Sequence, residues 1–149
     1  MPGLELIRPF SELRRTETGF AGGKGANLGE LTAAGFPVPP GLVVGAPAYA
    51  RFCDATGLRE KLAALLEGAG VDDTAALEVA ARSAREAIEQ APMPEDVEAA
   101  IRAAVSDLTD DGTQPVAVRS SATAEDTAAA SFAGMNASFL NVVGVDDVL

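Results

Sequence analysis

The sequence predicts an α+β fold in which several helices pack on a short mixed sheet. Three observations point there. The middle of the chain carries apolar residues at three- and four-residue spacing, the mark of amphipathic helices. Short apolar runs bounded by Gly and Pro stand before and after that middle, as strands do. Finally, 48% of the 149 residues are hydrophobic but only 5% are aromatic and none is Trp, so the core is aliphatic and Ala-rich. A chain of this size fits one domain or a fragment of a larger one.

Taken in order, Leu4 to Ile7 reads as a short strand, followed by a polar stretch from Ser11 to Thr18. Gly19 to Leu31 reads as a glycine-rich turn that runs into a helix, which Gly35 ends. The prolines of Phe36 to Pro40 hold an extended segment, because each fixes φ and disfavours helix before it. Leu42 to Val44 is a strand, and Pro47 suits the first turn of a helix reaching Thr56, before Gly57. Leu58, Leu62, Leu65 and Leu66 line one face of a short helix. From Asp72 to Ala91, capping acids precede Glu78–Arg82, Arg82–Glu86 and Arg85–Glu89 pairs at four-residue spacing. Pro94 opens a helix with Val97, Ile101, Ala104, Val105 and Leu108 on one side. These three helices read as packed scaffold with solvated outer faces. Val116 to Val118 and Phe139 to Val143 complete the strands. Asp146 and Asp147 are then suited to open a helix that the chain does not reach, so the end at Leu149 reads as a truncation.

Charge and residue counts exclude several function classes. With 22 acidic and 11 basic side chains the net charge is −11, which repels nucleic acid and anionic membranes. The absence of histidine removes any Ser–His or Cys–His couple, any imidazole metal ligand and any phosphohistidine from this chain. Cys53 stands alone beside Tyr49 and Phe52, reads as a small buried hydrophobe and suits a cytoplasmic protein. No segment resembles a signal peptide or is long enough to span a membrane.

Three segments have the composition of an anion site. Lys24 is one of only two lysines, and it lies among glycines whose amides can approach an anion at a helix start. The spacing fails both the Walker A loop and the dinucleotide fingerprint, so an exposed Lys on a flexible turn competes with the site. Arg119 leaves the Val116 to Val118 strand beside Ser120, Ser121 and Thr123. Its guanidinium suits bidentate phosphate binding with those hydroxyls as added donors, and a structural ion pair with Glu125 or Asp126 is the alternative. The small-residue loop Ser131 to Ser138 is able to cover polyphosphate with its amides, or is a plain turn.

Four blocks in one order carry a resemblance: Gly22-Gly-Lys-Gly-Ala-Asn-Leu-Gly-Glu-Leu31, Val38-Pro-Pro-Gly-Leu-Val-Val44, Val118-Arg-Ser-Ser-Ala-Thr-Ala-Glu-Asp126, and Ser131-Phe-Ala-Gly134 with Phe139-Leu-Asn-Val142. The chain resembles the N-terminal ATP-binding region of the phosphoenolpyruvate synthase and pyruvate phosphate dikinase family, from about Ile7 to Val142. Rifampin phosphotransferase shares that region.

The resemblance implies that residues 1–149 form the first subdomain of an ATP-grasp-type nucleotide-binding domain. It implies that Lys24 and Arg119 are catalytic, and that both bind ATP together with Ser131, Ala133, Gly134 and Ser138. Where the family typically continues its glycine loop with Gln-Gln-Glu-Thr, this chain reads Met135-Asn-Ala-Ser138. The Mg²⁺ ligands, the phosphohistidine domain and the acceptor domain are expected outside this chain. In the family, ATP gives its β-phosphate to that histidine, and pyruvate or the drug then receives it. A non-catalytic module that binds a nucleotide or a partner protein is the competing reading, and the isolated chain is expected to be inactive.

Overall fold

A computed structural model describes residues 5–67, 69–70, 72–123 and 137–149. The chain divides into two compact units, residues 1–48 with 96–149 and residues 49–95.

In the first unit, strand β1 (Ile7–Pro9) pairs antiparallel with β2 (Leu42–Val44), Ile7 opposite Val44. The expected strand at Leu4 to Ile7 therefore begins three residues later. Two 3₁₀ turns, Phe10–Glu12 and Arg15–Glu17, lead into helix α1 (Thr18–Ala33). This helix starts earlier than a glycine-rich turn would allow, and its glycines lie inside it. Its end is as expected: Phe36 N–H reaches Leu31 C=O and Gly35 N–H reaches Thr32 C=O, both at 3.1 Å, the paired bonds of a Schellman closure.

Small residues on α1 let its backbone lie close to its neighbours. A Cβ added at Gly29 would stand 2.5 Å from Leu13 Cβ and 2.8 Å from the Leu13 carbonyl. Leu13, fully buried, joins Ala21, Ala26 and Val43 in one core cluster, flanked by Phe10 and Phe20.

Helix α5 (Glu95–Leu108) buries Val97, Ile101 and Val105 at four-residue spacing against Ala48, with Leu6, Ile7, Val145 and Val148 around them. Past it, the buried Thr109 hydroxyl donates to Val105 C=O at 2.6 Å and accepts from Gly112 N–H at 3.0 Å, closing the turn into the next strand. Strand β3 (Val116–Arg119) pairs antiparallel with β4 (Ser138–Val142). A four-residue helix, α6 (Val145–Val148), follows with Asp146 and Asp147 in its first turn, so the helix expected beyond the chain is begun within it. Arg102 Nη1 bonds Asp146 at 2.6 Å and fastens this turn to α5.

The second unit is helical. Most of α2 (Ala46–Thr56) lies in it, with α3 (Leu58–Glu67) and α4 (Thr74–Glu89). Asp73 caps α4 by accepting from Ala76 N–H at 3.0 Å. Phe52, Cys53, Leu58 and Ala87 form its core, with Leu62, Leu65 and Ala91 against them. Cys53 is a buried free thiol, as its sequence context predicts.

The architecture is α+β, mostly helical. The single mixed sheet of the sequence reading is replaced, among the described residues, by two separate antiparallel pairs. Periodicity identifies strands but not their partners, and each pair here is closed by backbone bonds between segments more than fifteen residues apart.

Candidate functional site

A regular helix would bond Gly25 N–H to Ala21 C=O, four residues back. In α1 that bond is open. At Gly22 the backbone turns to φ 68°, ψ 174°, and the Ser121 hydroxyl occupies the gap. Ser121 Oγ donates to Ala21 C=O at 2.7 Å and accepts from Gly25 N–H at 3.1 Å. One residue on, Gly23 N–H donates to Ala122 C=O at 3.1 Å. A side chain inserted into the helical ladder is an established cause of a kink, and here it is also the joint between two distant segments.

Gly22 is required at this joint on two counts. Its positive φ lies where L side chains are disfavoured, and a Cβ would sit 2.4 Å from both the Ser121 carbonyl oxygen and Oγ.

The joint revises the sequence reading of the glycines. The amides of Gly23 and Gly25, expected to face an anion, are bonded to the chain behind β3 instead. Ser121, read as a hydroxyl donor for a ligand, spends its proton on Ala21. What the joint does bring together are the supports of the two candidate cations. Lys24, partly buried, lies between Gly23 and Gly25 on α1, and Arg119 is two residues before Ser121. No local pattern reveals this role for Ser121, because its partners are 96 and 100 residues away. A glycine pair inside an otherwise helical stretch is the one available hint of a break.

Arg119 is exposed and is the last residue of β3, not the first beyond it. The strand alternates: Val116 and Val118 are half-buried, while Ala117 and Arg119 face outward. Ser138, exposed at the start of β4, is its direct cross-strand partner, and Phe139 is paired with Val118. Such partners share a face of the sheet with Cβ atoms about 5 Å apart. The register holds because β4 has one extra residue. Leu140 and Asn141 together oppose Ala117, and Asn141 takes φ 57°, a bulge conformation that Asn tolerates.

Ser131, Ala133 and Gly134 lie outside the described residues, as do Glu125 and Asp126, the alternative partners of Arg119. Among the described residues no three His, Cys, Asp or Glu side chains are grouped to hold a metal, and no helix is long and apolar enough to cross a membrane.

The entry to α1 is fixed by charge. Arg8 bonds Glu17 through Nη1 and the Glu12 carbonyl through Nη2 at 2.6 Å, with its guanidinium 5.3 Å from the Phe20 ring centroid. The bond from Arg8 holds the Glu17 carboxyl below the usual glutamate range, against a smaller upward push from desolvation. Glu17 in turn accepts from Arg14 N–H at 2.9 Å. The first turn of α1 is thereby tied to β1, upstream of the Gly22 break.

Comparison with known proteins agrees with the four-block resemblance. The family model described as pyruvate phosphate dikinase, AMP/ATP-binding domain, matches residues 18–149. A probable phosphoenolpyruvate synthase of Methanocaldococcus jannaschii is 46% identical over 149 residues, covering 98% of this chain and 12% of that protein. One from Methanothermobacter thermautotrophicus is 46% identical over 156 residues, covering 99% of this chain and 22% of its own. The phosphoenolpyruvate synthase of Deinococcus radiodurans is 43% identical over 150 residues, covering 98% and 19%. The chain thus spans between about an eighth and a quarter of the length of these relatives. It belongs to the pyruvate phosphate dikinase AMP/ATP-binding domain family.

Proposed function

We propose that this chain supplies the first part of an ATP-grasp-type cleft in a phosphoenolpyruvate synthase-like dikinase. In this reading Lys24 and Arg119 contact the ATP polyphosphate, assisted by Ser131, Ala133, Gly134 and Ser138. Phosphoryl transfer leaves little covalent work for the protein, so cations that offset charge on the phosphates carry much of the catalysis. The β-phosphoryl group passes to a histidine outside this chain and then to the enol oxygen of pyruvate. The balance is ATP, pyruvate and water to phosphoenolpyruvate, AMP and phosphate. Pyruvate is preferred as acceptor because the relatives bear the names probable phosphoenolpyruvate synthase and phosphoenolpyruvate synthase. Mg²⁺, with its ligands expected outside this chain, would offset charge on the phosphates. The cytoplasm, where ATP and pyruvate are available, is the proposed compartment.

The observation that supports this reading is the docking of the chain behind Arg119 onto the helix that bears Lys24. It joins the two blocks of sequence that carry the candidate cations, in a chain whose charge would otherwise repel a nucleotide. Arg119→Ala in the full-length protein should lower AMP formation from ATP and pyruvate by roughly a hundredfold or more, with an unchanged melting temperature. Near-normal turnover would remove Arg119 from the site.

A further inference from the structure

We infer that Ser121 is a positioning residue for Lys24, acting by holding open the Ala21–Gly25 helical bond; this rests on the nucleotide reading above. The break at Gly22 has no proline to maintain it; the Gly23–Ala122 bond flanks it, and the Ser121 hydroxyl alone serves both of the groups it parts. The two groups it parts, Ala21 C=O and Gly25 N–H, are natural partners of a straight helix. One hydroxyl separates them by serving both, at 2.7 and 3.1 Å. Lys24 is the residue immediately before the Gly25 amide that the hydroxyl holds. Removing the hydroxyl lets the helical bond close directly, which changes the direction of α1 at Lys24 relative to the β3 end. The loss of backbone satisfaction is small, because the helix re-forms its own bond. The loss of alignment is not, because charge placement at a phosphate is sensitive to displacements of about 1 Å.

Ser121 therefore differs from a residue that only stabilises the fold, and a double-mutant cycle separates the two roles. The measurements are ATP dissociation constants and melting temperatures of the full-length protein with Ser121→Ala, Lys24→Ala, Arg119→Ala and the Ser121/Lys24 double substitution. The expected result for Ser121→Ala is about tenfold weaker ATP binding, comparable to one misplaced charged contact, with melting preserved. In the Lys24→Ala background the same substitution should add less than about twofold, since the group it aligns is gone. Ser121→Thr, which keeps the hydroxyl, should bind ATP within about threefold of the parent. That variant decides the matter if Ser121→Ala does not fold. Unchanged ATP affinity in Ser121→Ala, an undiminished effect in the Lys24→Ala background, or tenfold weakening in a folded Ser121→Thr would overturn the inference and leave the nucleotide reading standing. If Lys24→Ala and Arg119→Ala both bind ATP normally, the nucleotide reading falls and the inference falls with it.

Discussion

Arg119, which ends β3, and Ser138, which begins β4, stand directly opposite each other in the antiparallel register. A carboxylate placed at 138 would meet the guanidinium as a cross-strand ion pair and compete with any phosphate for it. Ser138→Glu in the full-length protein should raise KM for ATP about tenfold or more, whereas Ser138→Ala should stay within about threefold. Steady-state kinetics over a range of ATP concentrations checks this. Equal effects of the two substitutions would show that Arg119 does not reach the nucleotide.

Gly29→Ala sets two effects against each other. Alanine in a helix interior is worth up to about 1 kcal/mol over glycine. Here the new methyl would lie 2.5–2.8 Å from Leu13, including its backbone, and Leu13 is fully buried. Overpacking costs about 1–3 kcal/mol and should win, lowering Tm by several degrees. Thermal unfolding of the variant measures the sign directly.

The bulge in β4 depends on Asn141 at φ 57°. Asn141→Val puts a β-branched residue where the left-handed region is most penalised and should cost about 1–3 kcal/mol. Asn141→Gly should lie within about 0.5 kcal/mol of the parent, because glycine takes that conformation freely. Denaturant midpoints of the two variants distinguish a conformational demand from a side-chain contact.

Glu17 gives a pH dependence whose sign follows from its bond to Arg8. Its carboxyl titrates lower in the folded chain than in the unfolded one. The stabilisation is therefore fully present above the unfolded glutamate value of about 4.3 and is lost as pH falls through the lower folded value. Glu17→Gln should melt below the parent at neutral pH, and the gap should shrink as pH is lowered from about 5 to 3. A gap that widens on acidification would contradict the ion pair.

Helix positions were legible because their signals are local. Asp73 before α4, the four-residue spacing of Val97, Ile101 and Val105, and Gly57 after Thr56 all act within one or two turns. β2 and the core of β3 were legible for the same reason. The start of α1 was not, since glycine disfavours helix on propensity and only packing against Leu13 and Val43 makes small residues the better choice there. The strand partners were equally hidden, because pairing is decided between segments far apart. At the candidate site, Lys24 and Arg119 stood out by residue type and family resemblance. The Ser121 joint between their segments did not, because a hydroxyl that completes another element's backbone looks the same in sequence as one that faces a ligand.

The same joint bears on the order in which the chain acquires its shape. The hydroxyl that completes α1 is 96 residues downstream of the amide it receives. Emerging from a ribosome, the glycine-rich α1 segment has neither its packing partners for a stable helix nor the hydroxyl that joins Ala21 to Gly25. Ser121 can hold the bend only after α5 and β3 have been synthesised and the loop between has closed. Non-local closure of this kind is slow relative to helix formation. The Ser121 closure of α1 thus waits on most of the first unit, and an interrupted chain ending before residue 121 would carry every glycine of the Lys24 segment and still lack the hydroxyl that joins Ala21 to Gly25.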